Sequence, residues 1–175
     1  MPITARSNLT DVCFEVCTAL DRIGITAVLT GGSAATFYAP EAYQSRDADF
    51  IVTLRANGGA EALADLGYSV RGGTYEHAEN PYTLEFPRGP LAVGDDLIET
   101  WETIRRGGQT LYVLSRTDSV RDRLMWFYTD NDLSALRAAV GVTGSGPVDH
   151  ELIREWSTRE GFVTEYDRFV AQIRP

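Results

Sequence analysis

The chain has 175 residues, a net charge of −9 and 43% hydrophobic residues. That size and composition fit one domain, or one domain with a small helical appendage, and exclude a disordered chain. All sixteen basic residues are arginine, so any cation facing a polyphosphate here is arginine, backbone N–H or a metal; the acidic balance argues against nonspecific binding along a nucleic-acid backbone.

Residues 9–23 place apolar side chains at Leu9, Val12, Cys13, Val16, Leu20 and Ile23, which is a helical period. Asn8 or Thr10 offers the N-cap and Gly24 the stop. Cys13 and Cys17 lie four apart on that helix with no histidine cluster nearby, so they are expected as buried thiols and not as zinc ligands. A short apolar strand follows at 26–30, then a short helix at 32–39 that Pro40 ends. A second strand is expected at 47–53, a helix from Gly59 to Leu66 closed by Gly67, and strands at 68–70 and 82–86. Glycine and proline punctuate 87–94. Two β-like segments, near 99–105 and 109–114, flank Gly107-Gly108 as a hairpin.

From Ser115 the pattern becomes helical, with helices expected at 118–129, 131–142, 149–159 and 162–173, and a loop at 143–147. The expectation is therefore an α+β fold: an α/β core over 1–114, and a C-terminal helical region over 115–175 packed on it without a flexible linker. No apolar run reaches the ~20 residues of a membrane span, and no basic-then-apolar leader opens the chain. A cytoplasmic protein without membrane contact is the natural expectation.

Chemistry concentrates at two places. Gly31-Gly32-Ser33 ends the strand carrying Ala27-Val28-Leu29, and Arg46-Asp47-Ala48-Asp49-Phe50 opens the next. Residues i and i+2 of a strand share a face, so Asp47 and Asp49 present their carboxylates together. Paired carboxylates favour a cation between them, Mg²⁺ above all. The glycines allow close backbone approach to a ligand, and the N–H groups of the following helix start suit phosphate. A phosphate-binding turn beside a metal-binding pair reads as phosphoryl or nucleotidyl transfer. Ser33 reads equally as an ordinary helix N-cap. Arg46 reads as a neutralising partner for the carboxylates or a phosphate contact. His77 reads as a surface residue, Asp122 and Arg123 as salt-bridge formers, and Trp101, Trp126, Tyr128 and Trp156 as packing residues.

The run GGSAATFY…SRDADFIV resembles the signature of the DNA polymerase β-type nucleotidyltransferase superfamily. Within it, the chain is similar to small nucleotidyltransferases related to the AbiEii and MNT-type toxin–antitoxin enzymes. The stretches Leu84-Glu85-Phe86-Pro87-Arg88-Gly89-Pro90-Leu91, residues 115–124 and Asp132-Leu133-Ser134-Ala135-Leu136 support that similarity. The resemblance implies a nucleotidyltransferase-like mixed β-sheet flanked by helices, with a third acidic residue on a neighbouring strand. Glu85 is the apolar-flanked carboxylate in position for it, although a structural ion pair with Arg88 or Arg46 is the plainer alternative. The implied site has Asp47, Asp49 and Glu85 as Mg²⁺ ligands, with Glu85 also a possible base. Gly31, Gly32 and Ser33 hold the triphosphate, and Arg46 lies beside them. Three converging carboxylates would serve two ions, one for the triphosphate and one for the attacking hydroxyl. The implied reaction moves an NMP from an NTP to an acceptor hydroxyl on a protein, a tRNA or a small molecule. The alternative is a catalytically weak or inactive protein of the same fold acting as a binding partner, for instance beside an antitoxin.

Overall fold

The computed structural model describes residues 3–173. Helix α1 (Leu9–Arg22) leads into β1 (Thr26–Thr30), α2 (Gly31–Tyr38) and β2 (Asp47–Leu54). Helix α3 (Gly59–Asp65) then precedes β3 (Tyr68–Arg71), β4 (Thr74–His77) and β5 (Thr83–Glu85). A small two-stranded ribbon, β6 (Ala92–Val93) and β7 (Asp96–Leu97), comes before β8 (Glu102–Arg106) and β9 (Gln109–Val113). Four helices close the chain: α4 (Arg116–Asp130), α5 (Leu133–Gly144), α6 (His150–Arg159) and α7 (Val163–Ile173).

Seven strands form one mixed sheet in the order β3-β4-β5-β2-β1-β9-β8. At its centre β1 runs antiparallel to β2, while β2 is parallel to β5 and β1 is parallel to β9. The alternation of β2 decides what each face carries. Ala48 and Phe50 are fully buried, whereas Asp47 and Asp49 emerge half-buried on the other side.

Local chemistry explains the well-formed elements. Asn8 and Asp11 make a reciprocal capping box at the start of α1, whose apolar stripe is buried through Val12, Cys13, Val16, Cys17 and Leu20. Gly107 and Gly108 both take positive φ, 53° and 81°, between Arg106 and Gln109. That is the type I′ turn whose twist matches an antiparallel ribbon. Ser115 caps α4 through the Asp118 N–H, and Asp132 caps α5 through the Ser134 and Ala135 N–H groups.

Among the described residues, buried side chains gather in three clusters. The largest joins α1 and α3 to one face of the sheet through Leu20, Leu29, Phe50, Leu63, Leu84 and Leu111. A smaller one, around Val28, Leu91 and Leu114, lies on the opposite face. The third unites the C-terminal helices and reaches into the core region through Ala35 of α2, its C-cap Ala39 and Val93 of β6. Helices α4 to α7 thus share a hydrophobic core with α2, and each large apolar side chain buried there contributes roughly 1.5–3 kcal/mol.

Several elements differ from the sequence expectation. β4 and the β6–β7 ribbon occupy segments read as loop, because strands of two to four residues with polar content carry too little periodicity to be seen. The strand expected at 82–86 shortens to Thr83–Glu85. Helices α4 and α5 begin at Arg116 and Leu133 rather than at 118 and 131, and α5 takes in the first two residues of the loop expected at 143–147, ending at Gly144. Trp126 is 52% exposed and not a packing residue, unlike Trp156, which is buried and stacked on Tyr128. The two thiols are buried, as expected. Cys17 donates to the Ala27 carbonyl and accepts from the Tyr112 N–H, and burial pushes its thiol up to about 12.

Candidate active site

β1 ends and β2 begins at the same end of the sheet, and the connection between them returns through α2. Thr30 of β1 therefore faces Asp49 of β2 directly. On the other side of β2, the parallel register sets Asp47 against Thr83 and Asp49 against Glu85. Cross-strand partners in register share a face, so Asp47, Asp49 and Glu85 belong to one side of the sheet. Ala48 and Leu84, between them, point to the core on the other side.

The turn at residues 31–33 is tied to this face. Gly31 has φ +63°, and a Cβ there would stand 2.6 Å from the Asp49 Oδ2 atom. Only glycine combines that backbone with so close an approach to the carboxylate. The Ser33 hydroxyl donates to the Thr30 carbonyl at 2.8 Å and accepts from the Asp49 N–H at 3.1 Å. The Thr30 hydroxyl in turn donates to the Asp49 carbonyl at 3.3 Å. Ser33 is therefore not the N-cap of α2: Thr30 holds that position, without a side-chain cap. Its hydroxyl instead fixes the backbone of Asp49. Gly32 is overlain by Tyr43 and Ser45, each close enough to meet an added Cβ at about 3 Å.

Burial raises Asp49 from 3.8 to about 6, and the negative charges of Asp47 and Glu85 push in the same direction. Arg123 opposes this rise, while Asp122 adds to it, so both residues of α4 act electrostatically on the sheet face. Arg123 is itself held by Asp122, its Nε and Nη2 donating to one carboxylate oxygen at 3.0 and 2.7 Å. The expected salt bridge is thus present, but the pair also looks onto the site. Helix α4 signals this only weakly in sequence, since Asp122 and Arg123 resemble any solvated pair.

Arg46 is exposed and forms no ion pair with a described residue, and Glu85 pairs with neither Arg46 nor Arg88. The cation that moderates Asp49 is Arg123, brought from 74 residues away by packing. His77 is half-buried in β4 and not a loop surface residue. Its Nδ1 accepts from the Glu79 and Asn80 N–H groups, which leaves Nε2 to donate to the Leu66 carbonyl.

Three carboxylates supply hard oxygen donors of the kind Mg²⁺ takes. Their shared face and the raised Asp49 mark a place where negative charge is concentrated and desolvated. Among the described residues, however, no three His, Cys, Asp or Glu side chains are gathered closely enough to hold an ion. Backbone register thus sets Asp47, Asp49 and Glu85 on one face, and their side chains do not converge as expected for an ion site.

No known protein family matches the chain, and no curated protein is similar to it in sequence. Among solved structures, the fold is similar to the crystal structure of an antigenic nucleotidyltransferase-like protein from Paracoccidioides brasiliensis. The two share 16% identity and a TM-score of 0.65, over 97% of this chain and 90% of that one. At that identity the likeness is one of fold, and the fold is nucleotidyltransferase-like: a mixed sheet flanked by helices, with further helices at the C-terminus. Among the described residues, no helix is long and apolar enough to cross a membrane.

Proposed function

We propose that the chain is a Mg²⁺-dependent nucleotidyltransferase that moves an NMP group from an NTP onto an acceptor hydroxyl. The observation that carries this reading is the register Asp49 to Glu85, with Asp47 on the same face and the Gly31 turn against Asp49. The nucleotidyltransferase-like fold supports it at the level of architecture.

Asp47, Asp49 and Glu85 would hold the metal, which supplies charge stabilisation at the phosphates and activation of the hydroxyl. The chain's own residues do the rest. Ser33 and Thr30 hold the Asp49 backbone in place. Backbone N–H groups at the start of α2 face the phosphates. Glu85 accepts the proton of the acceptor hydroxyl as its oxygen bonds to the α-phosphorus and pyrophosphate departs. Arg123, which already opposes the negative charge at Asp49, balances charge on the phosphates. The acceptor is a protein side chain, a tRNA end or a small molecule, and the AbiEii and MNT-type resemblance adds an antitoxin partner in the cytoplasm.

The test is incubation with each labelled NTP and Mg²⁺ or Mn²⁺, followed by measurement of label on the protein itself, on a partner protein and on total tRNA. Transfer that disappears in Asp47→Asn supports the reading. Nucleotide binding without transfer to any acceptor would favour the inactive binding partner instead.

A further inference from the structure

The chain has three tryptophans, and two of them spend their rings on neighbours. Trp101 is set edge-on to Tyr112, and Trp156 is stacked on Tyr128. Trp126 is different: it is 52% exposed, and its ring meets no aromatic ring or guanidinium among the described residues. A single exposed apolar residue is ordinary on a protein surface. The place of this one is not.

Helix α4 turns by about 100° per residue, so Trp126 lies about 40° round the axis from Asp122 and about 60° from Arg123. It therefore projects between those two residues, one turn further along. Asp122 and Arg123 both act on the charge of Asp49, so this stripe of α4 looks onto the carboxylate face. Ser119 belongs to the same stripe, one turn earlier. Exposure rises steadily along it, from 0% at Ser119 through 9% at Arg123 to 52% at Trp126, and Thr129 and Asp130 beyond are exposed. The other side of α4, through Val120, Leu124 and Phe127, is sunk in the core of the C-terminal helices. The stripe thus runs from the interior, past the cation facing Asp49, to an open aromatic ring.

We infer that Trp126 is the platform on which the base of the donor nucleotide stacks. The inference rests on the nucleotidyl transfer proposed above and adds the base to it. With the polyphosphate at the carboxylate face and Arg123 beside it, the indole one turn on offers a flat apolar surface to the nucleoside end. Stacking suits that place, since Asp122 and Asp130 flank the ring and a neutral base brings no charge to meet them. Every base has a π face, so a platform of this kind accepts all of them and favours those that stack best, the larger purines. Donor choice then follows ring size and not the hydrogen-bonding edge.

The experiment is calorimetric titration of the full chain with ATP, CTP and tripolyphosphate in the presence of Mg²⁺, in wild type, Trp126→Ala and Trp126→Phe. Trp126→Ala is expected to weaken ATP about tenfold, as the loss of one stacked base provides. CTP should weaken less, and tripolyphosphate should be unchanged. Trp126→Phe should restore most of the ATP affinity. Tryptophan emission should fall as ATP binds to the wild type and change little in Trp126→Phe, where Trp101 and Trp156 remain in their own ring pairs. Unchanged ATP affinity in Trp126→Ala, with wild type binding ATP, overturns the platform and leaves nucleotidyl transfer standing. An equal loss for ATP and tripolyphosphate also overturns it, because the residue then acts on the phosphates or on the fold. A wild type that binds neither ATP nor tripolyphosphate overturns nucleotidyl transfer itself, and the platform with it.

Discussion

Asp49 and Asp96 sit in two charged clusters that solve opposite problems. Around Asp49, carboxylates outnumber cations: Asp47, Glu85 and Asp122 all push against it, and Arg123 is already engaged by Asp122. Around Asp96, each carboxylate has an arginine partner. Arg121 donates to Asp96 at 3.0 Å and Arg159 at 2.7 Å, while Arg121 also approaches Asp118 at 3.4 Å and lies over Trp156. The second cluster clasps the β6–β7 ribbon to α4 and α6, helped by the Asp95 N–H donating to Glu160. A compensated cluster holds structure together, whereas an uncompensated one stores a cost that a bound cation would relieve. The same residue types thus mark a clasp in one place and a candidate site in the other.

The contrast breaks most visibly in function. Asp47→Asn is expected to lower metal-dependent nucleotidyl transfer by roughly 10³-fold, about 4 kcal/mol in the barrier. The metal-free fold should remain as stable or become more so, because one repelling charge is gone. Wild-type rates in the mutant would remove Asp47 from the site.

Asp96→Ala should act the other way, with no metal dependence. It leaves Arg121, whose side chain is 4% exposed, short of its main partner, and the expected loss is about 3 kcal/mol of stability. A urea midpoint unchanged from wild type would show that Asp118 alone suffices.

Asp49→Asn sharpens the electrostatic half of the comparison. Asp49 has a folded pKa of about 6, above its ordinary 3.8, so the folded state binds the extra proton. Its contribution therefore weakens stability as pH rises from about 4 to about 6, and the cost persists above that. In metal-free protein at pH 7, replacing the charged carboxylate by the neutral amide should gain about 1–2 kcal/mol, less than the full shift because the group is partly solvated. The slope of stability between pH 4 and 6 should flatten in the same variant. Unfolding curves at pH 4, 5, 6 and 7 would check both.

The smallest effect belongs to an ion pair with neither burial nor crowding. Arg71 and Glu76 meet at 3.8 Å with exposed side chains, and Glu76→Gln should change stability by no more than about 0.5 kcal/mol. A loss comparable to that of Asp96→Ala would mean that pairing and not burial sets the difference between the clusters.

Much of this was written locally in the chain. The apolar spacing of residues 9–20, the Asn8 cap, the Gly107-Gly108 turn and the alternation of Asp47 and Asp49 each depend on neighbours a few residues away, and each formed as read. Local sequence also marked the Gly31 turn, since close approach and positive φ demand glycine. What it left open depends on residues that meet only after folding. The register that sets Glu85 beside Asp49, the choice of Arg123 over Arg46 as the facing cation, and the clasp of Asp96 by Arg121 join segments 25 to 74 residues apart. Short polar strands such as β4 exist because a neighbour supplies their hydrogen bonds, and Trp126 is exposed because α4 turns other residues toward α2. Period and capping are properties of one segment, whereas register and charge balance are properties of two.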